Sequence, residues 1–172
     1  KDSDGDLVFY APKMSEQAVR RQSLTEQLSR AVEKQEFELV YQTQISAENG
    51  RILGVEALLR WHQSPSVEGL GVRHSPVEFI PVLESTGQIN QVGKWVLETA
   101  CKQLKKWLDR GIICCMSVNV SPVQFKADEF VPTLLEVIRK AQVPTRCLEI
   151  EVTAGVRMDR LEATIGKLNV MR

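Results

Sequence analysis

Three short stretches of this 172-residue chain each place an oxygen-bearing side chain near the end of a predicted strand. These side chains are Glu56, Asn119 and Glu151. Each stretch is rich in apolar residues and is followed by a stretch with helical periodicity, which is typical of parallel β/α units. Carboxylate and amide oxygens are hard ligands of the kind that Mg²⁺ and Mn²⁺ prefer. Oxygen ligands at the ends of successive parallel strands indicate an active site built as in a β/α barrel.

Glu56 shares one face of its predicted strand with a second charged residue, Arg60. Glu56, Leu58 and Arg60 lie on one face of the predicted strand because successive side chains point to opposite sides. Charged groups on an inner face are costly to bury without partners. A purely structural Glu56–Arg60 ion pair is the alternative. For Asn119 the alternative is that it only ends its strand, with Ser121 capping the next helix.

Three motifs follow one another in a fixed order along the chain. They are Glu56-Ala57-Leu58 with Arg60, then Asn119-x-Ser121-x-x-Gln124-Phe125, then Glu151-x-Thr153. In this order and spacing they resemble the EAL domain family, which hydrolyses the bacterial second messenger cyclic di-GMP. The resemblance covers about residues 24–172. It implies hydrolysis of one phosphodiester bond of cyclic di-GMP to give linear pGpG.

The same resemblance assigns roles to individual residues. It makes Glu56, Asn119 and Glu151 ligands of Mg²⁺ or Mn²⁺, with Glu56 as the catalytic residue. Arg60 would contact a phosphate, since its planar guanidinium matches phosphate oxygens. The other implied substrate-binding residues are Gln42, Leu58, Phe79 and Pro81, with Phe79 and Pro81 lining one guanine pocket. For Phe79 a plain core role is equally compatible with the pattern.

Departures from the family pattern leave two alternatives to the phosphodiesterase open, although intact Glu56, Arg60 and Asn119 argue against the second of them, a scaffold without a ligand. The family commonly has a second glutamate on its fourth strand, where this chain has Ala154. No Asp-Asp pair, which the family uses for its metals, occurs in the sequence. The alternatives are therefore a degenerate EAL domain that acts as a non-catalytic cyclic di-GMP receptor, and a scaffold that has lost ligand binding.

The expected fold class is α/β, namely an EAL-type TIM-like (β/α)8 barrel with an antiparallel first strand. Asn49-Gly50 is a strong hairpin signal, and a short turn makes the two flanking strands antiparallel. A complete barrel of this kind needs about 250 residues, so we expect only its first half here and no activity from this chain alone. The predicted strands cover residues 37–45, 51–61, 112–120 and 147–153, and a polar loop covers 62–74. The predicted helices cover residues 75–87, 89–110, 121–141 and 158–170.

Three segments are predicted along the chain. Residues 1–12 are similar to the last strand of a GGDEF domain. Residues 13–35 form a helix capped by Ser15, which is either an interdomain signalling linker or a lid on the barrel. Residues 36–172 are the N-terminal half of the EAL domain. An upstream GGDEF or sensory domain in the same parent protein is the expected partner, and a homodimer is a further alternative.

Composition excludes several other classes of protein. With 22 Lys+Arg against 22 Asp+Glu, the chain has no net basic field that would favour a nucleic-acid polymer. Its apolar runs are too short to span a bilayer, so no direct membrane insertion is expected. Of its four cysteines none forms a CxxC pair, which favours buried free thiols over a zinc site. The expected location is the cytoplasm, although the parent protein could be anchored to a membrane.

Overall fold

The computed structural model describes residues 12–63 and 72–152. The predicted GGDEF-like tail, Thr153, Ala154 and the last predicted helix therefore lie outside the described residues, apart from Pro12. No helix in the described ranges is long and apolar enough to cross a membrane.

Five strands form one mixed sheet. They are β1 (Phe37–Ile45), β2 (Ile52–Gln63), β3 (Val72–His74), β4 (Cys115–Val120) and β5 (Leu148–Val152). The order is β1-β2-β4-β5, and β3 pairs with β2 outside this path. β1 and β2 are antiparallel, whereas β2–β4 and β4–β5 are parallel. The reversed first strand predicted from Asn49-Gly50 is thus confirmed.

The helices connect and cover these strands. They are α1 (Pro12–Glu33), α2 (Pro76–Thr86), α3 (Ile89–Asp109), α4 (Pro122–Lys126) and α5 (Phe130–Ala141), with a 3-10 turn at Thr145–Cys147 before β5. Gly87 ends α2 in the left-handed conformation, with φ of 75°, as its position predicted.

The apolar core lies between one face of the sheet and the helices. Ala57, Met116 and Val118 of the sheet are buried in one cluster with Leu104 of α3 and Leu134 of α5. Alternation places the polar side chains of the same strands on the opposite face. That polar face carries the candidate site.

A second group of buried side chains joins α1 and α2 to the carboxyl end of β2. The rings of Phe37, Trp61 and Phe79 lie within 6.2 Å of one another, and His74 stacks on Trp61 at 3.8 Å. Burial lowers the pKa of His74, although Glu78 opposes the shift. Leu28 of α1 is fully buried in the same core.

The predicted boundaries are wrong in several places. α1 begins at Pro12, so Ser15 lies inside the helix rather than at its cap. Part of the predicted polar loop pairs with β2 as the short strand β3, because β2 continues past Trp61 to Gln63. β4 begins at Cys115, where its pairing with Gly54 of β2 starts.

The single helix predicted over residues 121–141 is in fact two helices. Ala127 adopts an extended conformation, with φ of −63° and ψ of 135°, which ends α4 after five residues. The interruption lets Phe125 of α4 and Phe130 of α5 both enter the core, where their ring centroids lie 5.5 Å apart. The free energy gained by burying two aromatic side chains exceeds the cost of interrupting the helix.

Candidate functional site

The polar face of the sheet brings the predicted ligands into neighbouring positions. Gln42 of β1 lies directly opposite Glu56 of β2, and Asn119 of β4 lies opposite Glu151 of β5. β2 and β4 are parallel neighbours, with Glu56 paired to Ser117. Asn119 is two residues further along β4 and therefore points to the same face.

A hydrogen bond joins the two central residues of this row. Asn119 donates from Nδ2 to Oε1 of Glu56 over 2.6 Å. An amide that donates through its nitrogen directs its oxygen elsewhere, so Oδ1 of Asn119 remains an acceptor. One side chain therefore orients a carboxylate and presents an oxygen of its own.

The donor set fits a hard divalent cation. Glu56 and Glu151 provide carboxylates and Asn119 an amide oxygen, and Mg²⁺ and Mn²⁺ bind such oxygens. In residues 12–63 and 72–152 no group of three His, Cys, Asp or Glu side chains is arranged to hold a metal. The described donors are therefore two carboxylates and an amide. Glu149 lies one pleat away, opposite Ser117, whose hydroxyl donates to its Oε2 over 3.5 Å.

Arg60 lies at the carboxyl end of β2, beyond Leu58. Its Nη1 donates to the backbone oxygen of Leu59 over 2.9 Å, and its side chain lines a pocket. No ion pair joins Arg60 to Glu56, both of which are described, so the structural ion pair considered for them is not formed.

The pocket lies between the carboxyl ends of β2 and β4 and the helices α2 and α3. Its volume is about 270 Å³. Most of its wall is apolar, and its polar lining residues are Arg60, Glu84, Asn119, Ser121 and Gln124. The pocket therefore opens beside Asn119 and Arg60, two of the residues predicted to act on the substrate.

Within residues 12–63 and 72–152, Phe79 and Pro81, which the resemblance assigns to one guanine pocket, lie in different surroundings. Phe79 is fully buried among the rings of Phe37 and Trp61, whereas Pro81 is exposed. Two positions apart on a helix point about 200° apart around its axis, so they do not face one pocket. The core role considered for Phe79 is the one that the structure shows. The α2 residues on the pocket wall are instead Pro76, Ile80 and Glu84.

Sequence reasoning missed Glu84. Its Oε1 accepts a hydrogen bond from the Ser121 hydroxyl over 2.5 Å. The Ser121-Pro122 pair predicted a helix cap, and Ser121 does accept from the Val123 N–H over 3.1 Å. No local pattern indicated that a carboxylate 37 residues earlier would be its second partner.

Two titrating groups of the sheet, on β4 and β1, have raised pKa values. Burial raises the pKa of the Cys115 thiol, and the nearby Glu149 carboxylate raises it further. Burial also raises the pKa of Tyr41. Both groups are therefore neutral near pH 7 and add no charge to the sheet.

Comparison with known proteins identifies similar sequences. A sequence profile described as EAL domain matches residues 25–172. The chain is 34% identical over 158 residues to the bifunctional diguanylate cyclase/cyclic di-GMP phosphodiesterase MucR of Pseudomonas aeruginosa, covering 91% of this chain and 22% of MucR. It is 32% identical over 173 residues to the oxygen sensor protein DosP of Escherichia coli, covering 100% of this chain and 21% of DosP. It thus spans about a fifth of the length of these curated relatives.

Solved structures share the fold. The structure titled PaMucR phosphodiesterase, c-di-GMP complex, superposes with a TM-score of 0.78 at 34% identity, covering 87% of this chain and 59% of that one. The cAMP-bound form of the EAL enzyme Bd1971 superposes with a TM-score of 0.77 at 31% identity, covering 93% and 44% of the two chains. The described sheet and helices thus correspond to part of the EAL fold.

Proposed function

This chain belongs to the EAL domain family, and on that premise we propose that its full-length protein hydrolyses cyclic di-GMP to linear pGpG. One phosphodiester P–O bond is broken, and water supplies the OH and the H of the two new ends. The relative MucR carries cyclic di-GMP phosphodiesterase in its name, and the PaMucR structure contains c-di-GMP.

The observation that carries this proposal is the contact between Asn119 and Glu56. The 2.6 Å hydrogen bond brings two of the three predicted ligands together, and the third, Glu151, lies opposite Asn119 in the sheet. Asn119 is exposed and the two glutamates are only partly buried, so all three oxygen donors on this sheet face are open to a ligand.

In the proposed mechanism Glu56, Asn119 and Glu151 would hold Mg²⁺ or Mn²⁺. When bound, the cation would polarise the phosphate and lower the pKa of the attacking water. Asn119 keeps the Glu56 carboxylate oriented through its Nδ2 hydrogen bond. Arg60 exchanges its bond to the Leu59 carbonyl for a phosphate oxygen, and Gln42 and Leu58 position the dinucleotide.

The test is Glu56→Ala in the full-length protein, with pGpG measured by chromatography. We expect turnover to fall to the rate without enzyme, because one ligand and the partner of Asn119 are both lost. The control is Glu48→Ala, since Glu48 is exposed in the turn between β1 and β2. Wild-type turnover in the Glu56 variant would refute the proposed role of this carboxylate.

The second candidate function is a cyclic di-GMP receptor without activity. Ala154 favours it, because the family commonly has a glutamate there. Calorimetric titration with cyclic di-GMP on the sample used for chromatography separates the two. Binding with pGpG formation supports the enzyme, whereas binding without product supports the receptor.

The remaining sequence predictions are proposals about the whole protein. They comprise a GGDEF or sensory domain upstream of residue 13, a helix over residues 13–35 that is either a linker or a lid on the barrel, a cytoplasmic location and a homodimer. The 172-residue chain by itself is predicted to be inactive, since its sequence lacks the Asp-Asp pair of the family. Assays of the isolated chain and the full-length protein side by side test this last prediction.

A further inference from the structure

Glu84 makes a side-chain contact that no predicted role explains. It lies in the last turn of α2, where its backbone oxygen accepts from the Gly87 N–H over 3.2 Å. An acidic residue in the last turn of a helix is unfavourable because the helix dipole is negative there. The Glu84 side chain nevertheless lines the pocket and accepts from Ser121 over 2.5 Å.

Ser121 is the point at which β4 becomes α4. Its hydroxyl donates to Glu84 and accepts from the Val123 N–H, so both of its hydrogen-bonding functions are used. Asn119 lies two residues before it, at the end of β4. The Glu84–Ser121 bond therefore connects α2 directly to the segment that aims the Asn119 side chain at Glu56.

We propose that Glu84 is a positioning residue, which holds the end of β4 through Ser121 so that Asn119 keeps its contact with Glu56. This inference rests on the proposed function, since the contact serves the ligand set of Glu56, Asn119 and Glu151. Glu84 does not itself bind the cation. It acts as the outer partners of metal ligands do, by fixing the orientation of a group that binds.

The alternative is that the bond only fastens α2 to α4 and adds stability. Variants can separate these two explanations. Ser121 takes part both in the bond to Glu84 and in the cap of α4, whereas Glu84 takes part only in the first. Glu84→Ala removes the tether but leaves the Ser121 cap of α4 intact, whereas Ser121→Ala removes both. Glu84→Gln keeps an oxygen that accepts from the Ser121 hydroxyl.

The experiment measures Mn²⁺ binding to the full-length protein by electron paramagnetic resonance without substrate, together with kcat and KM for cyclic di-GMP. For Glu84→Ala we expect Mn²⁺ affinity to fall about tenfold, with a matching fall in kcat and KM within about twofold. Glu84→Gln should stay near wild type. Ser121→Ala should lose the same affinity and a further part of its thermal stability.

The matched control is Glu78→Ala, which removes a glutamate of the same helix. Glu78 faces α1, where it pairs with Arg20 over 2.6 Å, and does not line the pocket. We expect its Mn²⁺ affinity and kcat to equal those of wild type. Unchanged affinity and kcat in Glu84→Ala would overturn the positioning role, as would a rise in KM alone or a Glu84→Gln variant as impaired as Glu84→Ala.

The outcomes also distinguish this inference from the proposed function. Wild-type protein that binds Mn²⁺ but makes no pGpG refutes the phosphodiesterase, and a loss of affinity in Glu84→Ala still supports the positioning role. Wild-type hydrolysis with an unaffected Glu84→Ala refutes the positioning role alone. Wild-type protein that binds no Mn²⁺ and forms no pGpG with either Mg²⁺ or Mn²⁺ overturns both.

Discussion

At the scale of single residues, the contact between Asn119 and Glu56 explains why an amide rather than a carboxylate stands at position 119. The Nδ2 of Asn119 lies 2.6 Å from a carboxylate oxygen, a distance at which an aspartate oxygen would meet a like charge. The amide supplies a donor towards Glu56 and keeps an oxygen that the proposed cation would use. An aspartate would supply oxygens only.

Asn119→Asp tests this argument with almost no change of shape. We expect the metal-free variant to be less stable than wild type at pH 7, because one of two adjacent carboxylates is held at a raised pKa. Because the folded-state pKa is raised, the loss in free energy of unfolding relative to wild type is largest above that pKa. The loss shrinks as the pH falls and the carboxylate pair takes up a proton. Thermal unfolding between about pH 4 and pH 8 measures this loss of stability.

Asn119→Ala is the control for that experiment, since it removes the hydrogen bond without adding charge. Its deficit should not depend on pH in the same way. Mg²⁺ should restore more stability to Asn119→Asp than to Asn119→Ala, because it binds only where ligands remain. Parallel pH profiles for the two variants would contradict the like-charge argument.

At the scale of elements, α2 faces three surroundings at once. Phe79 is buried in the core, Glu78 pairs with Arg20 of α1, and Ile80 and Glu84 line the pocket. The apolar pattern of a helix identifies only the face that packs on the core. It does not indicate which residues on the other faces contact a pocket or another helix. The family resemblance, and not this pattern, assigned Phe79 and Pro81 to substrate binding, and the pattern gave no indication of Glu84.

The elements that could be predicted from the sequence begin or end at residues with a specific local conformational preference. Asn49-Gly50 predicted the hairpin of β1 and β2, and Gly87 predicted the end of α2, since both glycines adopt positive φ. The break between α4 and α5 has no such marker, because Ala127 is a good helix former that turns extended only to let two aromatic rings reach the core. The Glu84–Ser121 bond joins distant positions, which no single-sequence pattern reveals.

Gly93 shows how closely α3 and α4 approach. A Cβ at this position would overlap the side-chain amide of Gln124, which is buried between the two helices. The overlapping atoms are the far end of a flexible side chain, so we expect Gly93→Ala to destabilise the fold by only about 1 kcal/mol, despite the better helix propensity of alanine. Urea unfolding of the variant measures the change.

The same substitution in a Gln124→Ala background is the control. With the amide removed, Gly93→Ala should become neutral or stabilising by up to about 1 kcal/mol, because only the helix propensity remains. The two changes must therefore be strongly non-additive. An equal cost of Gly93→Ala in both backgrounds would show that the contact with Gln124 is not its cause.

At the scale of the whole molecule, the helices cover one face of the sheet and leave the polar face to the candidate site. The site residues stand on strands whose opposite sides are packed, as Ala57 and Val118 are. Rigid elements hold functional groups more accurately than loops do. The apolar face thus fixes the backbone from which Glu56 and Asn119 project.

Two residues of α1, Leu28 and Arg20, contribute differently to the stability of the fold. Leu28 is fully buried, so Leu28→Ala should cost about 2–5 kcal/mol through lost burial and a cavity. The Arg20–Glu78 ion pair also joins α1 to α2, but its side chains are 71% and 42% exposed. Arg20→Ala should therefore cost less than about 1 kcal/mol. Urea unfolding of both variants at low and high salt tests the division, since only the Arg20 effect should shrink with salt. A small cost for Leu28→Ala would mean that α1 is a detachable linker, whereas the large cost expected here makes its second half part of the domain itself.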